Sequence, residues 1–333
     1  MKFLVLGGTV YLSRAVARAA RDRGHDVTAA ARGVSGPVPD GVRFVQVDRG
    51  RPDGLTALAD ESYDAVVDVA RLPAQVGWAL DALAERTRHW SFVSTCSVYA
   101  DHATPGLTAD TAPLLDPAPL DSLDPDVELY GPSKVACERL VLDRVSAAFI
   151  ARAGLIVGAD DPNDRFGYWP LRLSAGGEVL APGGPDEPIQ YIDVRDLAAW
   201  IIDAAEAGTT GTYDAIRTPM PRGQFLVEIA DEFAAAAELT WVPQGFLTEH
   251  GVTPWAGPNS LGLWVPLPEY GGFLSHEPAS SIAAGMRIRP LTETARDWYT
   301  WYTAQPEPPV LIAGLDRQKE AEVLAAWRAA GPA

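Results

Sequence analysis

The chain opens on a short apolar β segment, residues 3–6, that runs straight into Gly7-Gly8-Thr9 and then into Ala15, Val16, Ala19 and Ala20 at helical spacing. A strand handed to a helix through glycines predicts the first unit of a parallel α/β sheet. Gly24 closes that helix, residues 27–31, 43–47, 65–70 and 90–93 read as further strands, and 74–86 and 133–145 read as helices. Apolar runs without alternation suit strands covered on both faces, so the fold class is α/β, a doubly wound parallel sheet. Such sheets bind ligands beyond the C-terminal ends of their strands.

The rhythm changes after about residue 165. Aromatic, Pro and Gly residues crowd 241–273, with Trp241, Trp255, Trp264, Tyr270 and Phe273 among prolines, as expected of a smaller, irregular α+β domain. Residues 191–204 read as a strand running into an amphipathic helix that rejoins the first sheet, and 316–330 as a helix packed on the body. The expected division is a dinucleotide-binding domain at 1–167, joined by 189–216, and a substrate domain at 168–188 and 217–333.

Composition narrows the function classes. At 333 residues, 47% hydrophobic and 21% charged, the chain is an ordinary globular sequence long enough for about two domains. No apolar run approaches the ~18 residues of a membrane helix, and the opening is too short for a secretory signal. Two cysteines, Cys96 and Cys137, suit a reducing compartment, so a cytoplasmic location is expected. The five histidines lack metal-ligand spacing, so no metal site is expected. A formal charge of −17 argues against a nucleic-acid footprint, and the expected partner is a small molecule, met by a monomer or homodimer.

Two further segments carry chemistry. Tyr130-Gly131-Pro132-Ser133-Lys134 supplies Tyr-x-x-x-Lys, and the run from Phe92 to Tyr99 ends a buried strand in the hydroxyls of Ser94, Thr95 and Ser97. With the Gly-Gly-Thr turn near residue 7, these resemble the extended, atypical short-chain dehydrogenase/reductases, the NAD-dependent epimerase/dehydratase family, over most of the chain. The resemblance implies a Rossmann-like fold, Tyr130 as acid/base and Thr95 as the hydroxyl that orients the reacting oxygen. Lys134 would lower the tyrosine's pKa and hold the nicotinamide ribose. Residues i and i+4 share a helix face, which lets the lysine stand beside the tyrosine.

The turn Gly7, Gly8, Thr9, Val10, Tyr11 and Leu12 would cradle the pyrophosphate on backbone N–H groups. Val10 and Ser13 stand where Gly-x-x-Gly-x-x-Gly has its second and third glycines, so added bulk and a weaker hold are expected. No acid follows the second strand, and Arg32 there favours the 2′-phosphate of NADP(H), with NAD(H) as the alternative. Asp48 and Arg49 resemble the pair flanking adenine, and Ala70 should line the cofactor ribose, beside Arg71, which departs from the usual small residue.

Dehydratases of the family follow the Thr with an Asp-Glu pair; Cys96 and Ser97 stand there instead. Nucleotide-sugar members carry Asn and Arg where this chain has Leu155 and Ile189. The expectation is an NAD(P)-dependent oxidoreductase acting on a secondary alcohol or ketone of a small polar molecule. The alternatives are a redox-neutral epimerase with tightly held NAD and, in another class, an RNA-binding protein of the same fold. Arg165, Tyr168 and Trp169 are candidate pocket residues, with Trp255 and Trp264 as alternatives, and the acidic run 116–128 reads as a solvated loop.

Overall fold

The structure, a computed structural model, describes residues 1–331; residues 332 and 333, which close the expected substrate-domain range, lie outside the described residues. The first half runs β1 (Lys2–Leu6), α1 (Tyr11–Asp22), β2 (Asp26–Ala31), β3 (Arg43–Gln46), β4 (Tyr63–Asp68), α2 (Pro73–Leu83), β5 (Thr87–Thr95), α3 (Tyr130–Arg144) and β6 (Ala148–Ala153). Then come β7 (Ile156–Val157), α4 (Tyr168–Ser174), β8 (Gly177–Pro182), β9 (Pro188–Ile189), β10 (Ile192–Asp193), α5 (Val194–Ala207) and β11 (Gly211–Ala215). The chain ends through β12 (Met220–Pro221), α6 (Arg222–Glu232), β13 (Ala237–Val242), α7 (Gln244–Glu249), α8 (Ala279–Ala283), α9 (Leu291–Thr303) and α10 (Arg317–Ala329). Among the described residues no helix is long and apolar enough to cross a membrane.

Seven strands form one sheet in the order β11-β6-β5-β4-β1-β2-β3, and every adjacent pair is parallel. Both faces are covered, which explains the apolar runs. Phe3, Val5, Ala29 and Phe149 face a layer that includes Val16 of α1 and Leu197 of α5, while Leu4, Leu6, Val66 and Phe92 face one that includes Leu80 of α2 and Val141 of α3. Strand β1 is flanked by β2 on one side and β4 on the other, so the chain winds from β1 to β3 toward one edge and then from β4 to β6 and β11 toward the other. A crevice opens above that switch point.

Strand β5 is longer than the 90–93 read from sequence because His89, Ser91, Ser94 and Thr95 are buried polar residues, which hide a strand from a hydrophobic pattern. A second core lies beyond residue 160. Phe166, Trp169, Val179, Phe225, Trp264 and Trp298 fill it, with β8 and β13 paired in parallel at its edge. Arg172 of α4 pairs with Glu320 of α10 at 2.7 Å, both buried, and Glu320 also accepts the Leu180 N–H, so the last helix is tied to β8 by a satisfied ion pair.

Candidate active site

The glycine turn shows what the chain needs there. Gly8 stands at φ +94, and a Cβ on it would lie 2.5 Å from the Ala29 Cβ, so only glycine fits. Val10 is different. It caps α1 from an ordinary extended conformation at φ −134, its side chain makes no capping hydrogen bond, and it is 40% exposed. The first-turn N–H groups of α1 therefore meet no side-chain cap and remain open to an anion. Ser13 fills the third glycine's place by donating from Oγ to the Val10 carbonyl at 2.8 Å.

Around this turn, Arg32 is exposed just past β2, and among the described residues its guanidinium makes no ion pair. Asp48 is exposed and its Oδ1 accepts the Gly50 N–H at 3.0 Å. Arg49 faces elsewhere. It grips the buried Asp68 with two parallel hydrogen bonds, 2.7 and 2.9 Å, and so braces the crevice floor instead of joining Asp48 at an adenine. Asp68 also accepts the Ala70 N–H at 2.8 Å, which fixes the backbone after β4.

Thr95 ends β5 and its Oγ1 accepts the Ser97 N–H at 3.2 Å, starting a turn at Cys96–Val98. Helix α3 begins at Tyr130 and docks on that turn, for a Cβ on Gly131 would come within 2.3 Å of the Ser97 carbonyl oxygen. The Tyr-Gly pair thus has a packing reason. Burial pushes the Tyr130 phenol above its ordinary value, while the neighbouring Thr95 hydroxyl and the charges of Arg71 and Arg165 pull the other way. The Arg71 guanidinium lies 5.0 Å from the Tyr130 ring centre.

Lys134 departs from the sequence expectation. Its ammonium is fully buried, donates to the carbonyls of Ala70, at 2.8 Å, and of Val93, and lies 4.2 Å from the Phe92 ring centre. It staples α3 to the ends of β4 and β5. The cations acting on Tyr130 are Arg71 and Arg165, and burial pushes Lys134 itself down to about 8. The i, i+4 spacing places both residues on one face; it does not dictate where a long, flexible side chain finds its acceptors.

Behind the reacting edge a buried polar network fixes the strand ends. Glu138 of α3 accepts from Ser94 and pairs with Arg152 of β6 at 2.7 Å, Arg152 reaches Tyr99 at 3.3 Å, and Tyr99 donates to Asp214 of β11. His276 faces the same Asp214 carboxylate at 3.3 Å. Cys96 sits inside this network, with Sγ 3.4 Å from the Arg152 carbonyl, and burial pushes its thiol well up. That is the setting of an inert packed cysteine.

The opposite wall closes a cleft of about 240 Å³ lined by Tyr11, Thr95, Tyr130, Asp161, Arg165 and Trp255. Arg165 and Trp255 thus face the space above Tyr130, with the guanidinium 4.7 Å from the indole centre. Tyr168, Trp169 and Trp264 do not: they belong to the second core, where the Trp169 indole donates to the Gly262 carbonyl at 2.9 Å. Sequence reasoning missed Asp161, the Tyr11 phenol and the stacking of Arg71. Of these only Tyr11 is itself at positive φ; Asp160 beside Asp161, and Asp164 and Trp255 nearby, also hold positive φ without being glycine. Among the described residues no cluster of His, Cys, Asp and Glu could hold a metal.

Comparison with known proteins agrees with this arrangement. Residues 3–215 match the NAD dependent epimerase/dehydratase family. The chain belongs to that family. The chain is similar to a 2′-dehydrokanamycin reductase of Streptomyces kanamyceticus, 33% identical over 196 residues, a match spanning 55% of this chain and only 52% of that protein. A 3-diazoavenalumate denitrifying reductase of a Streptomyces species is 28% identical over 340 residues, 96% of this chain and 100% of its own length. Among solved structures, the Bordetella bronchiseptica enzyme WbmH in complex with NAD+ superposes with a TM-score of 0.63 at 16% identity, covering 92% of this chain and 99% of that one, a likeness of fold. The chain is accordingly an enzyme of NAD(P)-dependent oxidoreductase or epimerase type.

Proposed function

We propose that this enzyme is an NADP(H)-preferring reductase of a ketone, or of a comparable electrophilic centre, on a small polar molecule other than a nucleotide sugar. The observation that carries the reading is the meeting of the Tyr130 phenol and the Thr95 hydroxyl at the C-terminal edge of β5, beside the open N-terminus of α1. The residues fit a dinucleotide: Gly8 leaves room for a close backbone approach, α1 offers free N–H groups, and Arg32 stands exposed where a 2′-phosphate would lie. Asp48 and Ala70 would line its adenosine and ribose ends. Bound there, the dinucleotide supplies the hydride.

Thr95 and Tyr130 hold the oxygen of the substrate, and Tyr130 gives it a proton. Burial favours the protonated phenol, which suits a residue that donates in the reductive direction. Lys134 keeps the strand ends in register by its two carbonyl contacts. Leu155 and Ile189 are buried apolar residues where nucleotide-sugar members carry polar ones, and both relatives described above are named as reductases. These support a small substrate and net reduction.

Titration of the purified protein with NADPH and NADH, followed by nicotinamide fluorescence, tests the reading. Binding of NADPH at least tenfold tighter than NADH, with turnover of added NADPH by some ketone, is expected. A protein that carries bound nicotinamide and never consumes added cofactor would be an epimerase, and one that binds neither would overturn both.

A further inference from the structure

The substrate cleft holds a cation with nothing to hold. Arg165 is half-buried, its Nε has no hydrogen-bond partner, and among the described residues its guanidinium makes no ion pair and donates no hydrogen bond. In a chain of net charge −17 that is a conspicuous omission, because carboxylates are abundant and a buried donor left unpaired costs about 1–3 kcal/mol. Four other buried or half-buried arginines each hold a carboxylate, Arg49 with Asp68, Arg152 with Glu138, Arg172 with Glu320 and Arg222 with Glu187, and Arg217, which holds none, donates to the Tyr191 hydroxyl.

The backbone that presents this side chain is held from two directions. A Cβ on Gly262 would lie 1.9 Å from the Arg165 carbonyl oxygen, and one on Gly167 would lie 2.0 Å from the Trp298 ring, so both glycines clamp the loop. Asp164, the preceding residue, accepts the Gly167 N–H at 2.9 Å. Trp255 is kept at φ +72, a conformation costly for tryptophan, with its ring against the guanidinium and edge-on to Phe273 at 5.4 Å. The guanidinium is positioned before any ligand arrives.

Resting on the reductase reading above, we propose that the substrate is a small organic acid whose carboxylate is gripped by Arg165 while its apolar body lies along Leu155, Trp255 and Phe273, the residues lining the same cleft as Tyr130 and Thr95. A guanidinium edge formed by Nε and Nη matches two carboxylate oxygens with parallel hydrogen bonds, which would satisfy the orphaned donor. Asp161 shares the cleft. One of its oxygens accepts the Asn163 N–H at 2.9 Å, the other is buried without a partner, and burial raises its pKa, so it is a weakened rival for the guanidinium.

Calorimetric titration with benzoylformate and with its neutral methyl ester, on the free protein and on the protein saturated with NADP+, tests the inference. The acid should bind at least tenfold tighter than the ester. Arg165→Gln should remove that difference while keeping NADP+ affinity within about threefold, and Arg165→Lys, which keeps charge but not the fork, should retain part of it. Equal affinity for acid and ester in the wild type, including no measurable binding of either, overturns the inference, as does loss of NADP+ and acid together in Arg165→Gln, which would assign the arginine to the cofactor. Failure of the wild type to bind NADP+ would instead sink the reductase reading, and the acid-versus-ester comparison on the free protein would still judge Arg165.

Discussion

The two walls of the cleft are built by opposite means. The sheet wall, from Gly7 to Leu12, Thr95 and Tyr130, stands on the ends of regular elements, and its charged braces each find a partner, Arg49 on Asp68, Lys134 on two carbonyls and Arg152 on Glu138, while the Tyr11 phenol and the Arg49 Nε stay unpaired. The loop wall, residues 160–165 and Trp255, includes three non-glycine residues at positive φ, Asp160, Asp164 and Trp255, and leaves Arg165 Nε and Asp161 Oδ2 without partners. Regular geometry that the sheet imposes serves the chemistry common to a family. Strained geometry with open polar groups is where a particular substrate is chosen.

The comparison breaks most sharply at Tyr130. If the sheet wall carries the chemistry, Tyr130→Phe should lower turnover by ~10²–10⁴, the usual contribution of positioned proton transfer, with dinucleotide affinity unchanged. Turnover within a few-fold of the wild type, measured at saturating cofactor, would move the proton donor to the loop wall and dissolve the distinction.

Among the groups each wall buries, Asp164 and Lys134 should make stability respond to pH in opposite directions. Burial lifts Asp164 to about 7, against an unfolded carboxyl near 3.9, so between roughly pH 4 and 7 the native state keeps a proton the unfolded chain has lost, and stability falls as pH rises. Burial drops Lys134 to about 8 against an unfolded amine near 10.4, so from roughly pH 8 to 10 the unfolded chain binds the extra proton and stability climbs. Each slope is at most about 1.4 kcal/mol per pH unit. Urea unfolding across pH should show Asp164→Asn removing the first slope and Lys134→Met the second; variants whose curves run parallel to the wild type would contradict the burial argument.

Arg32 gives a smaller effect at the far end of the sheet wall. Charge-assisted hydrogen bonds are worth ~1.5–3 kcal/mol, so Arg32→Ala should weaken NADPH at least tenfold and leave NADH nearly untouched. Equal losses for both cofactors in a fluorescence titration would place Arg32 away from the 2′-phosphate.

The same contrast explains what the sequence made legible. Strands β1, β2 and β4 stood out because burial on both faces writes continuous apolar runs, and Tyr130 and Thr95 stood out because motif and strand end lie within one stretch of chain. The reach of Lys134 toward Ala70 and Val93 was not legible, since the acceptors come from two other strands and spacing fixes only a helix face. Arg165 surfaced only as one candidate among aromatic neighbours, and the juxtaposition with Trp255 needs two segments about ninety residues apart in a region without periodicity. Asp161 and the Tyr11 phenol acquire meaning only from what fails to pair with them.

The smallest effect concerns Val10, where the Gly-x-x-Gly-x-x-Gly pattern led us to expect crowding at the pyrophosphate. The backbone there sits at φ −134, which any residue adopts, and the side chain is 40% exposed, so glycine is not required for the turn to form. Gly8, at φ +94 against Ala29, is the position that cannot change. Val10→Gly should therefore shift NADPH affinity by less than about threefold. It should also destabilise the fold by roughly 0.5–1 kcal/mol, because glycine adds freedom to the unfolded chain and gives nothing back in this conformation. A tightening of tenfold or more on titration would show that the isopropyl group does hold the dinucleotide off α1, and that the sheet wall is less finished than its hydrogen bonds indicate.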